Sequence, residues 1–349
     1  MMSMFQKQQL VQLDSLFGKF RKVSIVVHSH PDADALGSAF ALYSYLKEKR
    51  AADVCVILPD RYPGTLSFLV ADERIIIAAD EPDVASERLA STELLVCLDL
   101  NVFSRTGVLE TLLAGLGCTK LLIDHHQEPD LKSFDLVFSE TEISSTCELL
   151  FHLLKEMPDV VSAKGLPPRA AGCLMTGMTT DTNNFANSVY PSTFEMASEL
   201  LAAGVDRDEI LYHLYRQYRE NRYRALGRVC SDLLRITPDG VAYVVLRRQL
   251  YDELGLVEGE TEGFVNIPLE IADVHISLFL KEDDSHFRVS VRSKKSWSAR
   301  DLAKRYFNGG GHECAAGGKL YFPGDIASPD EAEEYIENVT ARFLHRNGR

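Results

Sequence analysis

At 349 residues, with 46% hydrophobic and 25% charged, the chain has a globular make-up too long for one typical core, so two domains are expected. A formal net charge of −14 argues against broad binding to long nucleic acid, because neutralising phosphates needs a basic surface. No apolar run nears the roughly 20 residues that cross a bilayer. The start, Met1–Leu10, is polar and lacks a signal-peptide core, and the seven cysteines are scattered singly, so a reduced, cytoplasmic protein is expected.

Residues 5 to 20 read as an amphipathic helix with an apolar stripe of Phe5, Leu10, Leu13, Leu16 and Phe17. A strand over Val23–Val27 then runs into His28-Ser29-His30-Pro31-Asp32-Ala33-Asp34, followed by an apolar helix from about Ala35 to Lys47. Gly37 and Ser38 are placed in that helix's first turn, where close backbone approach and free N–H groups favour anions. Strand-like runs recur at Val54–Leu58, Arg74–Ala78 and Leu94–Leu98, the last ending in Asp99. A helix is expected over Val102–Leu116. A short buried strand over Leu121–Ile123 then enters Asp124-His125-His126, and another strand covers Leu136–Phe138. Ser144-Ser145-Thr146 caps a helix through Leu154, Pro167-Pro168 opens one that reaches Asp181, and Pro191-Ser192-Thr193 opens the next. Strands alternating with helices in this way indicate a mainly parallel sheet with helices on both faces.

An arginine- and tyrosine-rich stretch after Asp206 reads as a solvated helical connector, with nucleic-acid contact the minority reading. Beyond it the pattern changes to hairpins: Arg235–Thr237 with Val241–Leu246 around Pro238-Asp239-Gly240, and Val274–Leu280 with Phe287–Val291. A helix over Ala299–Phe307, a glycine run and a last helix over Asp330–Leu344 complete a smaller α/β domain. The division expected is residues 1–205, a helical linker 206–232, and residues 233–349.

An acid and two imidazoles at the end of a buried strand have no hydrophobic rationale, and open α/β sheets place ligands at such ends. Imidazole nitrogen with several carboxylates suits Mn²⁺ or Mg²⁺ better than a thiolate-loving metal. Each acid alone could be a helix cap, and a lone buried histidine is usually a hydrogen-bonded core residue. Four clusters in sequence, three of them ending apolar strands, favour one shared centre. If the first loop stays extended, Asp32 and Asp34 share a face and can serve neighbouring ions, whereas adjacent His125 and His126 diverge. Clustering these acids without cations costs several kcal/mol in repulsion and desolvation, so the site should bind divalent metal or take up protons. His30 reads as a loop residue and Asn101 as a partner of the ligands.

The motifs His28-x-x-x-Asp32-x-Asp34-x-x-Gly37-Ser38, Asp99, Asp124-His125-His126 and Asp181, with Arg292-Ser293 and Gly309-Gly310-Gly311-His312 downstream, resemble those of DHH-superfamily phosphoesterases carrying a C-terminal DHH-associated domain. The resemblance covers roughly residues 20 to 320 and is nearest to the nanoRNase and pAp-phosphatase branch. It implies an active site in the cleft between the two domains and two Mn²⁺ ions, with Mg²⁺ as the alternative. Asp99 is then the bridge between ions; His28 and Asp32 complete one site, and Asp34, His125 and Asp181 the other. His126 faces the substrate phosphate, and Asp124 orients its neighbours. Arg292, Ser293, Gly309, Gly310, Gly311 and His312 hold the nucleotide, in keeping with the basic run Arg288–Arg305. Lys294, Lys295 and Trp297 are equally open to base contact or surface roles. Where relatives often carry glycine after the Asp-Thr of the fourth motif, Asn183 stands here, a residue that tolerates left-handed backbone.

The expected activity is hydrolysis of short oligoribonucleotides such as pApA to nucleoside monophosphates, together with removal of a phosphate from 3′-phosphoadenosine 5′-phosphate (pAp). Cyclic di-AMP hydrolysis is the rival within the fold, and a non-catalytic nucleotide-binding sensor the rival of another class. The partners expected are a short RNA or nucleotide, no membrane and no long DNA, with a homodimer left open.

Overall fold

The structure is a computed structural model that describes residues 5–70 and 75–346. Arg74, the expected start of one strand, and Met1–Met4 of the polar start lie outside the described residues. The chain divides into two compact units, the first running to Gln217 and the second beginning at Tyr218.

In the first unit α1 (Lys7–Lys19), β1 (Lys22–Val26), α2 (Ala33–Arg50), β2 (Asp53–Leu58), the short α3 (Ser67–Val70), β3 (Ile75–Ile77), α4 (Pro82–Ala90) and β4 (Leu94–Leu98) follow one another. They continue with α5 (Glu110–Gly115), β5 (Thr119–Asp124), β6 (Leu136–Ser139), α6 (Thr146–Lys155), α7 (Pro168–Asp181), α8 (Pro191–Ala202) and α9 (Arg207–Tyr215). The strands form a six-stranded sheet among the described residues, in the order β3-β2-β1-β4-β5-β6, every pair parallel. The chain builds outward from β1 in one direction and from β4 in the other, so the strand order reverses between them. That switch point is where open parallel sheets leave a crevice at their carboxyl ends.

Strand alternation divides the apolar side chains between two faces. Val23, Ile25, Leu94, Val96, Leu121 and Ile123 pack against α1, α2, α6, α7 and α8. Val26, Leu95, Cys97 and Leu122 pack against α4 and α5 on the other side. Helix α2 is buried from Ala33 to Leu46, as a helix enclosed on all sides must be to read as apolar all round.

The expected helix over Val102–Leu116 is two pieces. A 3-10 segment over Phe103–Leu109 contains Gly107 at φ +53°, and only α5 beyond it is α-helical. Gly37 lies beyond the first turn of α2, and what approaches it is chain rather than anion: a Cβ there would sit 2.7 Å from the Cys173 carbonyl of α7.

The second unit comprises α10 (Glu220–Arg228), β7 (Arg235–Ile236), β8 (Val241–Leu246), α11 (Arg248–Glu253), β9 (Ile276–Glu282), β10 (His286–Ser293), α12 (Ala299–Tyr306), β11 (Gly310–Gly311), β12 (Ala315–Tyr321) and α13 (Ala332–Arg346). Its sheet runs β11-β12-β10-β9-β8-β7, antiparallel except where β8 meets β9. Both expected hairpins are present. One face carries α12 and α13, and the other α10 with a 3-10 segment over Phe264–Glu270.

The stretch after Asp206 is shared between the units. Ile210 and Leu214 of α9 belong to the first core, and Ala225 with Val229 to the second. Four of its arginines are occupied within the chain. Arg219 pairs with Glu260 at 2.7 Å, Arg224 and Arg228 pair with Glu220 and Asp232, and Arg222 lies over the rings of Tyr218 and Phe264. Among the described residues no helix is long and apolar enough to cross a membrane.

Gly177 of α7 lets α2 approach: a Cβ there would lie 2.8 Å from Asp34 Oδ1 and against the Cys147 sulfur. Replacing glycine by alanine in a helix ordinarily stabilises by about 1 kcal/mol. Here overpacking reverses the sign. Gly177→Ala should lose about 1–3 kcal/mol, read as a lower urea midpoint; a raised midpoint would contradict the packing described.

Candidate active site and metal centre

The carboxyl ends of β1, β4 and β5 carry His28, Asp99 and Asp124-His125-His126 to one place. Asp99 stands at the centre, buried, in left-handed backbone at φ +59° directly after β4. Such geometry is uncommon for a non-glycine residue and tends to mark functional sites. His28 Nε2 lies 3.4 Å from Asp99 Oδ2, and His125 Nε2 and His126 Nδ1 each lie 3.6 Å from Asp99 Oδ1. His125 Nε2 is also 3.9 Å from Asp34 Oδ2 and 3.4 Å from Asp181 Oδ2, and Asp32 Oδ1 is 3.9 Å from His28 Nε2. The fold thus gathers His28, Asp32, Asp34, Asp99, His125 and Asp181 in one place.

Two expectations about this loop region change. The first motif is not extended: Asp32 is the N-cap of α2 and its Oδ1 accepts from the N–H groups of Asp34 and Ala35 at 3.0 Å. Asp32 is therefore a cap that also faces His28. The two histidines do not diverge either. β5 ends at Asp124, so strand alternation stops there, and the rings of His125 and His126 meet edge to face with centroids 4.8 Å apart.

Hydrogen bonds hold the rings and acids in place. His28 Nδ1 donates to the Ser29 carbonyl at 2.8 Å, which turns its Nε2 toward the carboxylates. Asp124 accepts from the His126 backbone N–H at 3.0 Å and from its Nδ1 at 2.8 Å, the orienting role expected of it. Asn101 donates to the Gln127 carbonyl at 2.7 Å and so ties the loop after β4 to the loop after β5. His30 is an exposed loop residue whose N–H reaches Asp60. Asn183 adopts φ +47°, the left-handed turn expected after the fourth motif.

Sequence reading missed the groups that hold the acids from behind. Asp34, with no exposed surface, accepts from the N–H groups of Thr146 at 2.7 Å and Cys147 at 2.9 Å in the first turn of α6. Thr146 Oγ1 donates to Asp99 Oδ1 at 3.0 Å. The capping run Ser144-Ser145-Thr146 was a signal for that helix start, and helix starts favour negative charge. Nothing local in the sequence says which acid would dock there.

Electrostatics provides the test of fit for a cation. Burial, then the charges of Asp99 and Asp32, push the Asp34 carboxyl well above its usual range, even against the two amide donors. Burial followed by Asp99 raises Asp124 to about 7. Burial keeps His125 low and takes His126 to about 4, so both rings are neutral near pH 7. Asp99 goes the other way: burial opposes ionisation most strongly, but the hydrogen bond with His28 and the His126, His28 and His125 imidazoles together hold its carboxyl low, and the same hydrogen bond raises His28 in return. Acids this crowded favour a cation over mutual repulsion. The donors also group in the right way. His28, Asp32 and Asp99 offer atoms within 4.8 Å of one another, and so do Asp34, Asp99 and His125. Asp99 is common to both groups, and nitrogen with carboxylate oxygen and no sulfur fits Mn²⁺ or Mg²⁺. A third group, Asp99, Asp124 and His126, is already engaged by the Asp124–His126 hydrogen bonds.

In the second unit the expected nucleotide-binding residues divide. Arg292 is half-buried on β10, its guanidinium donating to the Val291 carbonyl at 3.0 Å. Ser293 is buried and donates to the Trp297 carbonyl at 2.6 Å, so it fixes a turn rather than presenting a hydroxyl to solvent. Trp297 is a core residue, and Lys294 donates to the carbonyls of Ile271 and Ala272. Gly309 and Gly311 are small because chain approaches them. A Cβ on Gly309 would collide with the Gly317 carbonyl, and one on Gly311, at φ +139°, would lie 2.7 Å from the Ala315 carbonyl. Gly310 faces open space on β11, and His312 turns the chain into β12 with its N–H on the Ala315 carbonyl at 2.7 Å.

Residues 22–178 match the DHH family, N-terminal domain, and residues 226–343 match the DHHA1 domain. The bifunctional oligoribonuclease and PAP phosphatase NrnA of Thermus thermophilus is 30% identical over 93% of this chain and 91% of its own. This chain belongs to the DHH family. A crystal structure of an exopolyphosphatase-related protein from Bacteroides fragilis shares the DHH fold seen here, with a TM-score of 0.91 over 100% of both chains at 31% identity. Similarity also extends to the cyclic-di-AMP phosphodiesterase PdeA of Listeria monocytogenes, 24% identical over 94% of this chain but only 49% of that protein.

Because Asp99 belongs to both donor groups, Asp99→Asn should disable both at once while keeping a residue that accepts left-handed backbone. Calorimetric titration with Mn²⁺ should show a loss of affinity beyond the roughly 10–100-fold typical of removing a partner outside the ligand set. Tight binding retained by the variant would refute the shared position.

Proposed function

We propose that this DHH-family chain is a divalent-cation-dependent phosphoesterase. Its substrates are short oligoribonucleotides such as pApA, cut to nucleoside monophosphates, and pAp, converted to AMP. The observation that carries the reading is the convergence of His28, Asp32, Asp34, Asp99, His125 and Asp181 at the carboxyl ends of β1, β4 and β5 and of α7. Similarity to oligoribonuclease and PAP phosphatase proteins along nearly the whole chain supports the substrate class.

Divalent ions, Mn²⁺ in the first instance, supply positive charge for the phosphoryl oxygens and acidify water when bound. His28 and Asp32 would serve one ion, Asp34, His125 and Asp181 the other, and Asp99 both. The chain's own contribution is placement. Asp34 is fixed by the α6 amides, Asp99 by Thr146 and His28, and His28 by the Ser29 carbonyl. We assign His126 to the substrate phosphate: it is neutral, and Asp124 sets its ring orientation through Nδ1. Arg292, Gly310 and His312 are assigned to the nucleotide. Ser293, Gly309 and Gly311 shape the backbone that carries them.

Cyclic di-AMP hydrolysis is the second reading, favoured by the similarity to a cyclic-di-AMP phosphodiesterase. A side-by-side digestion with Mn²⁺ separates the readings. pApA and pAp should be consumed, longer RNA and cyclic di-AMP should be cut more slowly, and pyrophosphate should be spared. Cyclic di-AMP as the fastest substrate would favour the second reading. Rapid pyrophosphate cleavage with pApA untouched would overturn the proposal, and no turnover of any diester above Asp99→Ala would leave a nucleotide-binding sensor.

A further inference from the structure

Arg105 lies in the 3-10 segment between β4 and α5, five residues before Glu110. The fold delivers it to the metal centre through backbone contacts. The Ser29 N–H donates to the Arg105 carbonyl at 2.7 Å, and the Ser29 carbonyl in turn accepts from His28 Nδ1 at 2.8 Å. Gly107 makes the approach feasible: at φ +53° it turns the segment back, and a Cβ there would lie 2.6 Å from Ser29 Oγ. The charge of Arg105 reaches His28, Asp124 and His126, favouring the less protonated form of each.

One nitrogen of the Arg105 guanidinium nevertheless lacks a partner. Its Nη1 is fully buried and forms no hydrogen bond among the described residues. The neighbouring acids have their oxygens committed elsewhere: Asp34 to the α6 amides, Asp124 to His126, and Asp99 to Thr146 and His28. A buried guanidinium nitrogen left unpaired is costly and survives where an anion meets it during function. Guanidinium geometry matches phosphate oxygens, and a positive group is needed where a phosphate enters a site lined with carboxylates.

We propose that Arg105 is a catalytic residue that donates from Nη1 to a non-bridging oxygen of the phosphate being cleaved. The inference rests on the phosphoesterase reading above and extends it. Arg105 recognises the phosphate itself, not base or sugar, so diester and monoester substrates depend on it alike.

The test uses the full-length Mn²⁺-loaded protein with Arg105→Gln and Arg105→Lys. Three quantities are measured: kcat and KM on pApA and on bis(p-nitrophenyl) phosphate, orthophosphate affinity by calorimetry, and bound Mn²⁺ per chain. Removing one charge-stabilising donor typically costs about 10²–10³ in rate, so Arg105→Gln should lower kcat/KM on both diesters by about 100-fold. Arg105→Lys, which keeps charge but loses the fork, should recover part of that. Orthophosphate should bind more weakly to Arg105→Gln, while Mn²⁺ stoichiometry stays that of the parent in both variants. Unchanged orthophosphate affinity, or loss of Mn²⁺ in step with activity in both variants, would overturn the proposal and make Arg105 part of the scaffold. Should Arg105→Gln fail to fold, Arg105→Lys decides: full parental kcat/KM and orthophosphate affinity would sink the idea. If the parent protein splits bis(p-nitrophenyl) phosphate but neither pApA nor pAp, the substrate assignment falls while the Arg105 comparison still stands on the simple diester.

Discussion

A carboxylate with no exposed surface, Asp34, is gripped by two amide N–H groups at the start of α6, and the first unit is arranged to make that grip feasible. Burying an acid so completely is unfavourable unless donors and positive charge surround it. The donors come from α6, where the first turn's N–H groups have no helical partner. The room comes from Gly177 of α7, which lets the acid and its helix close in. Once α2, α6 and α7 are locked together, the carboxyl ends of β1, β4 and β5 present the remaining candidate ligands around Asp99. Stability and chemistry pull against each other at this point: the same crowding that favours a cation pushes the carboxyls of Asp34 and Asp124 up.

The site sits where the sheet topology allows it. Strand order reverses between β1 and β4, so the loops leaving them separate and open a crevice. Asp99 stands at that reversal, in left-handed backbone that turns its carboxylate between His28 on one side and His125 on the other. One side chain belonging to two donor groups would hold two ions at a defined separation. It also makes the centre vulnerable at one position. The second unit is organised differently: Gly309 and Gly311 of its glycine run are small because strands pack closely there, which leaves Gly310 and His312, with Arg292 on β10, as the candidates for ligand contact.

Much of this was legible in the sequence, for reasons that can be named. Apolar runs ending in His28, Asp99 and Asp124 announce both a buried strand and a polar end, so the sheet and three of the four clusters could be read together. The residues misread share a different cause. Gly37, Gly309 and Gly311 lack a side chain because something comes close, but sequence does not say whether the visitor is ligand or chain; in each it is chain. Ser293 and Trp297 sit beside basic residues and looked available, yet strand register turns Ser293 inward and Trp297, in the turn before α12, packs into the core. Thr146, Gly177 and Arg105 act across long stretches of chain, and no local pattern marks such partners. The break at Gly107 could have been suspected from a glycine within a helical pattern.

The claim on which the account depends is that two cations share Asp99. Crystals grown with MnCl₂ and measured on both sides of the manganese absorption edge would test it directly. The account predicts two anomalous peaks per chain, both touching the Asp99 carboxylate, one completed by His28 and Asp32 and the other by Asp34, His125 and Asp181. A single peak, or peaks that do not contact Asp99, would contradict it.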